Sequence, residues 1–197
     1  ALLDAGADPD QRDSNGAGTV SFACMANNVA SVKAWLQRFS NWDVGRRNVV
    51  FGGCALTDAA YFGPQKAPLV RLLLDAKADL MHRNYSGSNV LICAVDNPDA
   101  DEEVVRMLLE AASEMGTVEE FLNYQQRPTT YKLGFMTGVA RMAVRLGRTT
   151  DLILQNVAQW KGSTALHGAA SRGKSHPLFF SFFLLAPRAC VLLVGSC

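Results

Sequence analysis

A seven-residue run near the start of the chain, Leu2-Leu3-Asp4-Ala5-Gly6-Ala7-Asp8, returns with one change as Leu73-Leu74-Asp75-Ala76-Lys77-Ala78-Asp79. The separation corresponds to two units of roughly 35 residues. Such a unit is too small to close a core of its own, so the chain must stack its units and bury apolar surface between neighbours. A second pattern runs out of phase with the first. Its clearest copy is Thr164-Ala165-Leu166-His167-Gly168-Ala169-Ala170-Ser171-Arg172-Gly173. Cys54 to Gly63 and Asn89 to Val95 follow it well, while Gly18 to Cys24 and Gly138 to Val144 follow it more loosely. A glycine stands two residues ahead of four of these five copies, at Gly16, Gly52, Gly87 and Gly162.

These residues resemble the ankyrin repeat family, whose unit is about 33 residues, a turn followed by two antiparallel helices, marked by T-P-L-H-x-A. Thr164-Ala165-Leu166-His167-x-Ala169 departs from that signature only in Ala165, where the family carries proline. Val70-Arg71-Leu72-Leu73-Leu74 and Val105-Arg106-Met107-Leu108-Leu109 resemble its second helix. The resemblance covers residues 1 to about 174 and implies an all-α, ankyrin-type solenoid of helix-turn-helix units with hairpin-like turns.

Local physics points the same way. Paired small residues, Ala59-Ala60 and Ala169-Ala170, let neighbouring first helices approach closely. Val70, Leu73 and Leu74 form one apolar stripe of a helix that Pro68 suits at its first turn. Asp101, Glu102 and Glu103 place acids at the positive start of the next second helix, favouring a capping role over a calcium loop. Copies beginning at 18, 54, 89, 138 and 164 predict about five units in series, unevenly spaced, with an insertion near 112–136. Thr117 and Glu120 predict a capping box opening a helical turn in that insertion. Lys77 stands where the family resemblance places a helix-ending glycine, so it is predicted near left-handed φ/ψ.

Nineteen Lys plus Arg against eighteen Asp plus Glu leave a formal charge of +1, with no broad footprint for nucleic acid. Five widely spaced cysteines include no C-x-x-C pair, which disfavours a zinc site or disulfide framework and predicts a reducing, cytoplasmic setting. The chain opens on what reads as the last turn of a helix, as expected for a piece of a longer array, and no signal-peptide pattern is visible. Residues 175–197 form a non-repeat hydrophobic tail. Pro177, Pro187 and Arg188 interrupt it, so a membrane span is the weaker reading, and membrane contact is confined to this tail if it occurs.

The sequence offers no catalytic constellation. His167 belongs to the turn-and-helix signature, where the family uses Thr and His for hydrogen bonding, and His82 is expected in a solvent-facing loop. Cys24, Cys54 and Cys93 occupy equivalent first-helix regions and read as small buried hydrophobes. Without a phosphate loop, nucleophile elbow or metal motif, a non-enzymatic module with no cofactor is expected.

The resemblance implies recognition of a protein partner through the concave face and the turn tips. Carried over, it assigns Phe22 and Met25 to the first unit, then Asp58, Tyr61 and Phe62 to the second. Asp96 and Asn97 follow in the third and Met142 and Arg145 in the fourth. Ser14, Asn15, Arg83, Tyr85, Trp160 and Lys161 are its turn-tip candidates. Arg141, Arg145 and Arg148 share one helix face, a solvated stripe or a contact for an acidic peptide. The alternative role is a regulatory or anchoring ankyrin region of a larger membrane protein or enzyme.

Overall fold

The computed structural model describes residues 2–14, 16–49, 51–62, 64, 67–148 and 151–171, with the backbone alone at 152, 153 and 156. The tail and Asn15 lie outside these residues. Among the described residues ten helices follow in chain order: α1 Thr19–Met25, α2 Val29–Arg38, α3 Ala55–Tyr61, α4 Ala67–Asp75, α5 Val90–Asp96, α6 Glu102–Glu114, α7 Val118–Leu122, α8 Tyr131–Arg145, α9 Leu152–Gln159 and α10 Ala165–Ser171. No strand occurs among the described residues, only an isolated bridge between Arg12 and Gly18. None of the described helices is long and apolar enough to cross a membrane.

The helices form two rows. α1, α3, α5 and α10 pack side by side as an inner row, and α2, α4 and α6 form an outer row behind it. The inner helices are short because side-chain caps and turn glycines fix their starts. Asn89 Oδ1 accepts from Ile92 N at 3.0 Å to open α5. Thr57 Oγ1 accepts from Cys54 N at 2.8 Å to open α3. His167 Nδ1 takes the corresponding place at α10, 3.3 Å from Thr164 N and 2.8 Å from Thr164 Oγ1. That is the structural duty expected of His167. Between the rows the apolar stripes meet: Leu56, Leu69, Val70 and Leu73 join Leu91, Val95, Val104, Val105 and Leu108 in one continuous core. Cys24, Cys54 and Cys93 are buried within it, and burial raises each thiol's pKa, so they are packing groups.

Each inner helix is preceded by a tight turn that closes on itself. Asp13 N donates to Ala17 O at 3.0 Å, Asn48 N to Gly53 O at 2.8 Å and Asn84 N to Ser88 O at 3.1 Å. An arginine precedes each of these residues, and the arginines link the turns. Arg12 donates to the carbonyl of Arg47 at 3.2 Å and Arg47 to that of Arg83 at 2.8 Å. The fourth turn closes in the same way, Gln126 N to Ser163 O at 2.7 Å and Gly162 N to Gln126 O at 2.8 Å, but residues 127–161 intervene. A helical hairpin of α8 against α9 thus projects from the tip of one turn, and the chain then re-enters the row as α10.

This arrangement corrects the predicted register. Gly138 to Val144 is not the first helix of a fourth unit. It lies within α8, which packs on α9 and leaves α10 to stack directly on α5. Close approach there depends on Gly168, where a Cβ would stand 3.0 Å from Asp96 Oδ1 and 3.3 Å from Val95 Cγ1. Among the described residues the row holds four first helices, and the segment set outside it is 127–161. Within the predicted insertion α7 does form and buries Phe121. The capping box does not: Thr117 makes no side-chain cap, and its hydroxyl donates instead to Ala112 O at 3.4 Å. His82 is not solvent-facing either. It is buried, with Nε2 2.9 Å from Gly52 O, because it sits between consecutive turns.

Lys77 adopts φ +62°, as expected at the end of α4, with its N–H on Leu74 O and that of Ala78 on Leu73 O. Gly6 closes the first segment with the same pair of bonds. Lys77→Gly is expected to raise stability by about 1 kcal/mol, since glycine reaches this conformation without a Cβ penalty. A melting point unchanged or lowered in the variant counts against it.

Candidate interaction surface

α3, α5 and α10 end on one side of the inner row, at Tyr61, Asp96 and Ser171. The helical hairpin folds toward the same side. Between them lies a cleft of about 750 Å³, reached by Leu133 of α8 and by Trp160 just beyond α9. Its aromatic wall is continuous. The rings of Phe51 and Phe62 lie 5.6 Å apart, and Tyr61 meets Phe62 edge-on at 5.0 Å. Tyr85 is held against the second turn, its N–H donating to Phe51 O at 2.7 Å and its carbonyl accepting from Thr129 N at 3.0 Å. Its ring lies so close to Gly52 (φ +68°) that a Cβ there would meet Cδ1 at 2.5 Å. Gly52 is therefore required both by its backbone angle and by the ring.

The floor is polar. Gln126 donates to Ser88 Oγ at 2.9 Å and to Ser86 O at 3.2 Å, tying the fourth turn to the third. Asp58 is 2% exposed, and Asn48 Nδ2 donates to its two oxygens at 2.9 and 3.1 Å. Burial pushes its pKa up to about 6, and hydrogen bonds from Asn48 and Ser21 only partly oppose the shift. A carboxyl raised in the folded state holds its proton more tightly there than in the unfolded chain. Its contribution is most favourable below about pH 4 and is lost as pH rises through about 6. Burial lowers the His82 pKa, so that residue contributes in the opposite sense, losing stability as pH falls through its ordinary range. The Asp58 effect is therefore isolated by difference. Asp58→Asn should gain on the native chain by on the order of 2 kcal/mol between pH 4 and pH 7. Parallel stability curves for the two proteins contradict this.

A family model described as ankyrin repeats (3 copies) matches residues 20–119. The chain belongs to the ankyrin repeat family. No curated protein matches it. Ankyrin repeats are in general protein–protein interaction modules, and the family is typically non-catalytic. The matched residues span α1 to α6 and stop before the hairpin that interrupts the array.

Of the fifteen sequence-predicted contact residues in this ankyrin array, Asn15 lies outside the described residues, Ser14 is exposed in the first turn and Arg83 lies over the Tyr124 ring, 4.9 Å from its centroid; the other twelve divide into three groups and one outlier. Asp58, Tyr61, Phe62, Tyr85, Asp96 and Trp160 share the cleft. Met142, Arg145 and Lys161 line a second recess of about 460 Å³ on the hairpin, together with Arg141. The assignment of Met142 and Arg145 to a fourth first helix does not hold, because α8 is not part of the inner row. Phe22, half-exposed, and Met25 stand apart on α1. Asn97 is the outlier and is corrected: it is 1% exposed, donates to Ala60 O at 3.1 Å and accepts from Asp99 N at 2.8 Å. It clamps neighbouring units. Asp58, although in the cleft wall, is likewise buried and held by Asn48, so its contribution is to the field of the cleft rather than to a rim contact.

Phe51, Leu133 and Gln126 belong to the cleft and were not legible as contacts. Phe51 immediately precedes Gly52-Gly53, and an aromatic beside a repeat's turn glycine was the available signal. Gln126 has no such marker, because its turn partner Gly162 is far along the sequence.

Proposed function

We propose that this ankyrin array is a non-enzymatic protein-interaction module that takes an extended segment of a partner protein into the cleft between its concave inner-helix face and the hairpin. The observation that carries the reading is the half-exposed aromatic wall. Tyr61 is 45% exposed and Phe51 48% exposed, yet both belong to one ring cluster with Phe62. Large preorganised aromatic surface in a recess is the chemistry of binding hot spots. The buried thiols suit the reducing, cytoplasmic setting proposed for it. The turn tips around Tyr85 and Trp160 form the rim, and Met142, Arg145 and Lys161 on the hairpin offer a second contact for an acidic stretch of the same partner.

The test is affinity capture from a cell extract with the native chain and with Tyr61→Ala. Because Tyr61 is half in solvent, the variant should melt within about 1 kcal/mol of the native chain while losing the captured partner. A variant that captures the same proteins as the native chain overturns the cleft as the partner site. Arg145→Glu should weaken capture without moving the melt, and unaltered capture removes the hairpin contact alone.

A further inference from the structure

We infer that α8 docks an amphipathic helix of the partner, one whose apolar ridge is flanked by acids; this rests on the hairpin contact proposed above. α8 is apolar on two opposite sides. Thr137 and Ala140 are buried on one side, and α8 packs against α9. On the other, Tyr131, Phe135, Val139 and Met142 follow at helical spacing, and Leu146 at the C-cap continues the line. All five are between 53% and 89% exposed. The stripe runs the length of the helix, roughly 22 Å, and the core of the array makes no use of it. Charge frames it. At about 100° per residue, Lys132 falls along one edge and Arg141 and Arg145 along the other. Residues 121–150 contain five Lys and Arg and no Asp or Glu, so the near-neutral total of the chain conceals a basic segment. Among the described residues none of these three cations is ion-paired. The arginine edge is also hollow. Gly134 and Gly138 stand one turn apart with open space where a Cβ would be. With Met142, Leu146, Arg145 and Lys161 they line a recess of about 460 Å³, and none of its described lining residues is acidic.

A partner helix meets all of this at once. Its apolar ridge lies along the stripe and seats a side chain in the recess, while acids on its flanks reach Lys132, Arg141, Arg145 and Lys161. Other occupants leave a feature unmet. A second copy of α8 laid on the first sets cation against cation. Residues 175–197 are apolar but contain no Asp or Glu, so they leave the cations unpaired. An anionic bilayer answers the stripe and the charge but offers no ridge to fill the recess.

The test uses the full chain and three 16-residue peptides, each stapled to hold it helical. One carries a leucine stripe flanked by glutamates. The second has lysine for each glutamate, and the third has the composition of the first with its leucines spread around the helix. Calorimetry is expected to show the acidic striped peptide binding at least about tenfold more tightly than the spread one, with no saturation by the lysine peptide. Phe135→Ser should weaken the acidic peptide about fivefold and leave the melting temperature unchanged, because this side chain is exposed. Gly138→Leu should weaken it by filling the recess while holding or raising the melting temperature, since leucine is the better helix former. Equal affinity for the striped and spread peptides, full affinity in Phe135→Ser or Gly138→Leu, or no saturation by the acidic peptide up to about 1 mM overturns the inference. So does tighter binding to phosphatidylserine–phosphatidylcholine vesicles than to the acidic peptide, if Phe135→Ser abolishes it, because the stripe then belongs to a membrane surface. The two readings separate cleanly. If Arg145→Glu weakens capture from extract while striped and spread peptides bind alike, the hairpin contact stands and its helical ligand falls. If Arg145→Glu leaves capture unaltered, the hairpin contact itself falls.

Discussion

Leu91→Ala is expected to cost the fold about 3–4 kcal/mol, read as a fall in the denaturant midpoint at unchanged slope. Leu91 is fully buried in α5, the helix that α3, α6 and α10 all pack against. An array of this kind has no single centre, and its stability is the sum of weak units and the interfaces between them. Truncating Leu91 opens a cavity on the helix that serves three of those interfaces, and the surrounding helices, fixed by their caps and turns, close only part of it. A like truncation at the half-exposed Leu154 of α9 should cost under about 1 kcal/mol, since it creates no buried void. A cost at Leu91 no larger than at Leu154 contradicts the packing described.

Gly87→Ala is the second large effect, at about 3 kcal/mol or more. Gly87 has φ +80°, where a Cβ already carries a penalty of roughly 1–2 kcal/mol. More important is where that Cβ would point: it would overlap the backbone carbonyl of Arg127, so the third and fourth turns could not remain together. Tyr124 also donates to Gly87 O at 2.9 Å, and this bond across the two turns would be strained with them. Gly116 and Gly147 serve as controls. Both have positive φ (+70° and +63°) and open space where the Cβ would stand. Their alanine variants should show the backbone penalty alone, about 1 kcal/mol. Equal costs at Gly87 and Gly116 mean that Arg127 does not lie against the third turn.

The repeat itself was legible because the residues that set it are local. Turn glycines, paired alanines and the Val-x-x-Leu-Leu stripes declare their helices within a few positions. Lys77 was predictable because it stands where the family resemblance places a helix-ending glycine, as Gly6 does in the first copy. The register beyond α6 was not legible. Gln126 and Gly162 form one turn, but nothing in the sequence next to Gln126 announces a partner that returns only after a full helical hairpin. Gly138 to Val144 imitates a first helix in composition, and only its packing on α9 shows otherwise. Burial of single polar residues was equally hidden. Asp58 on α3 and Asn97 just past the end of α5 were expected to face outward, yet Asn48 and the Ala60 carbonyl hold them inward. The cleft was half legible: family positions indicated Tyr61, Phe62 and Tyr85, whereas the hairpin that encloses them came from the structure.

The central claim is that the chain leaves the inner row at Gln126, forms a hairpin and returns so that α10 lies against α5. Methyl-edited nuclear Overhauser spectroscopy on the intact chain tests it directly. A Cβ at Gly168 would stand 3.3 Å from Val95 Cγ1, so the α-protons of Gly168 should show strong cross-peaks to the Val95 methyls. Cross-peaks from Gly168 to the methyls of Val139 on α8, with none to Val95, would show five units in series and contradict the account.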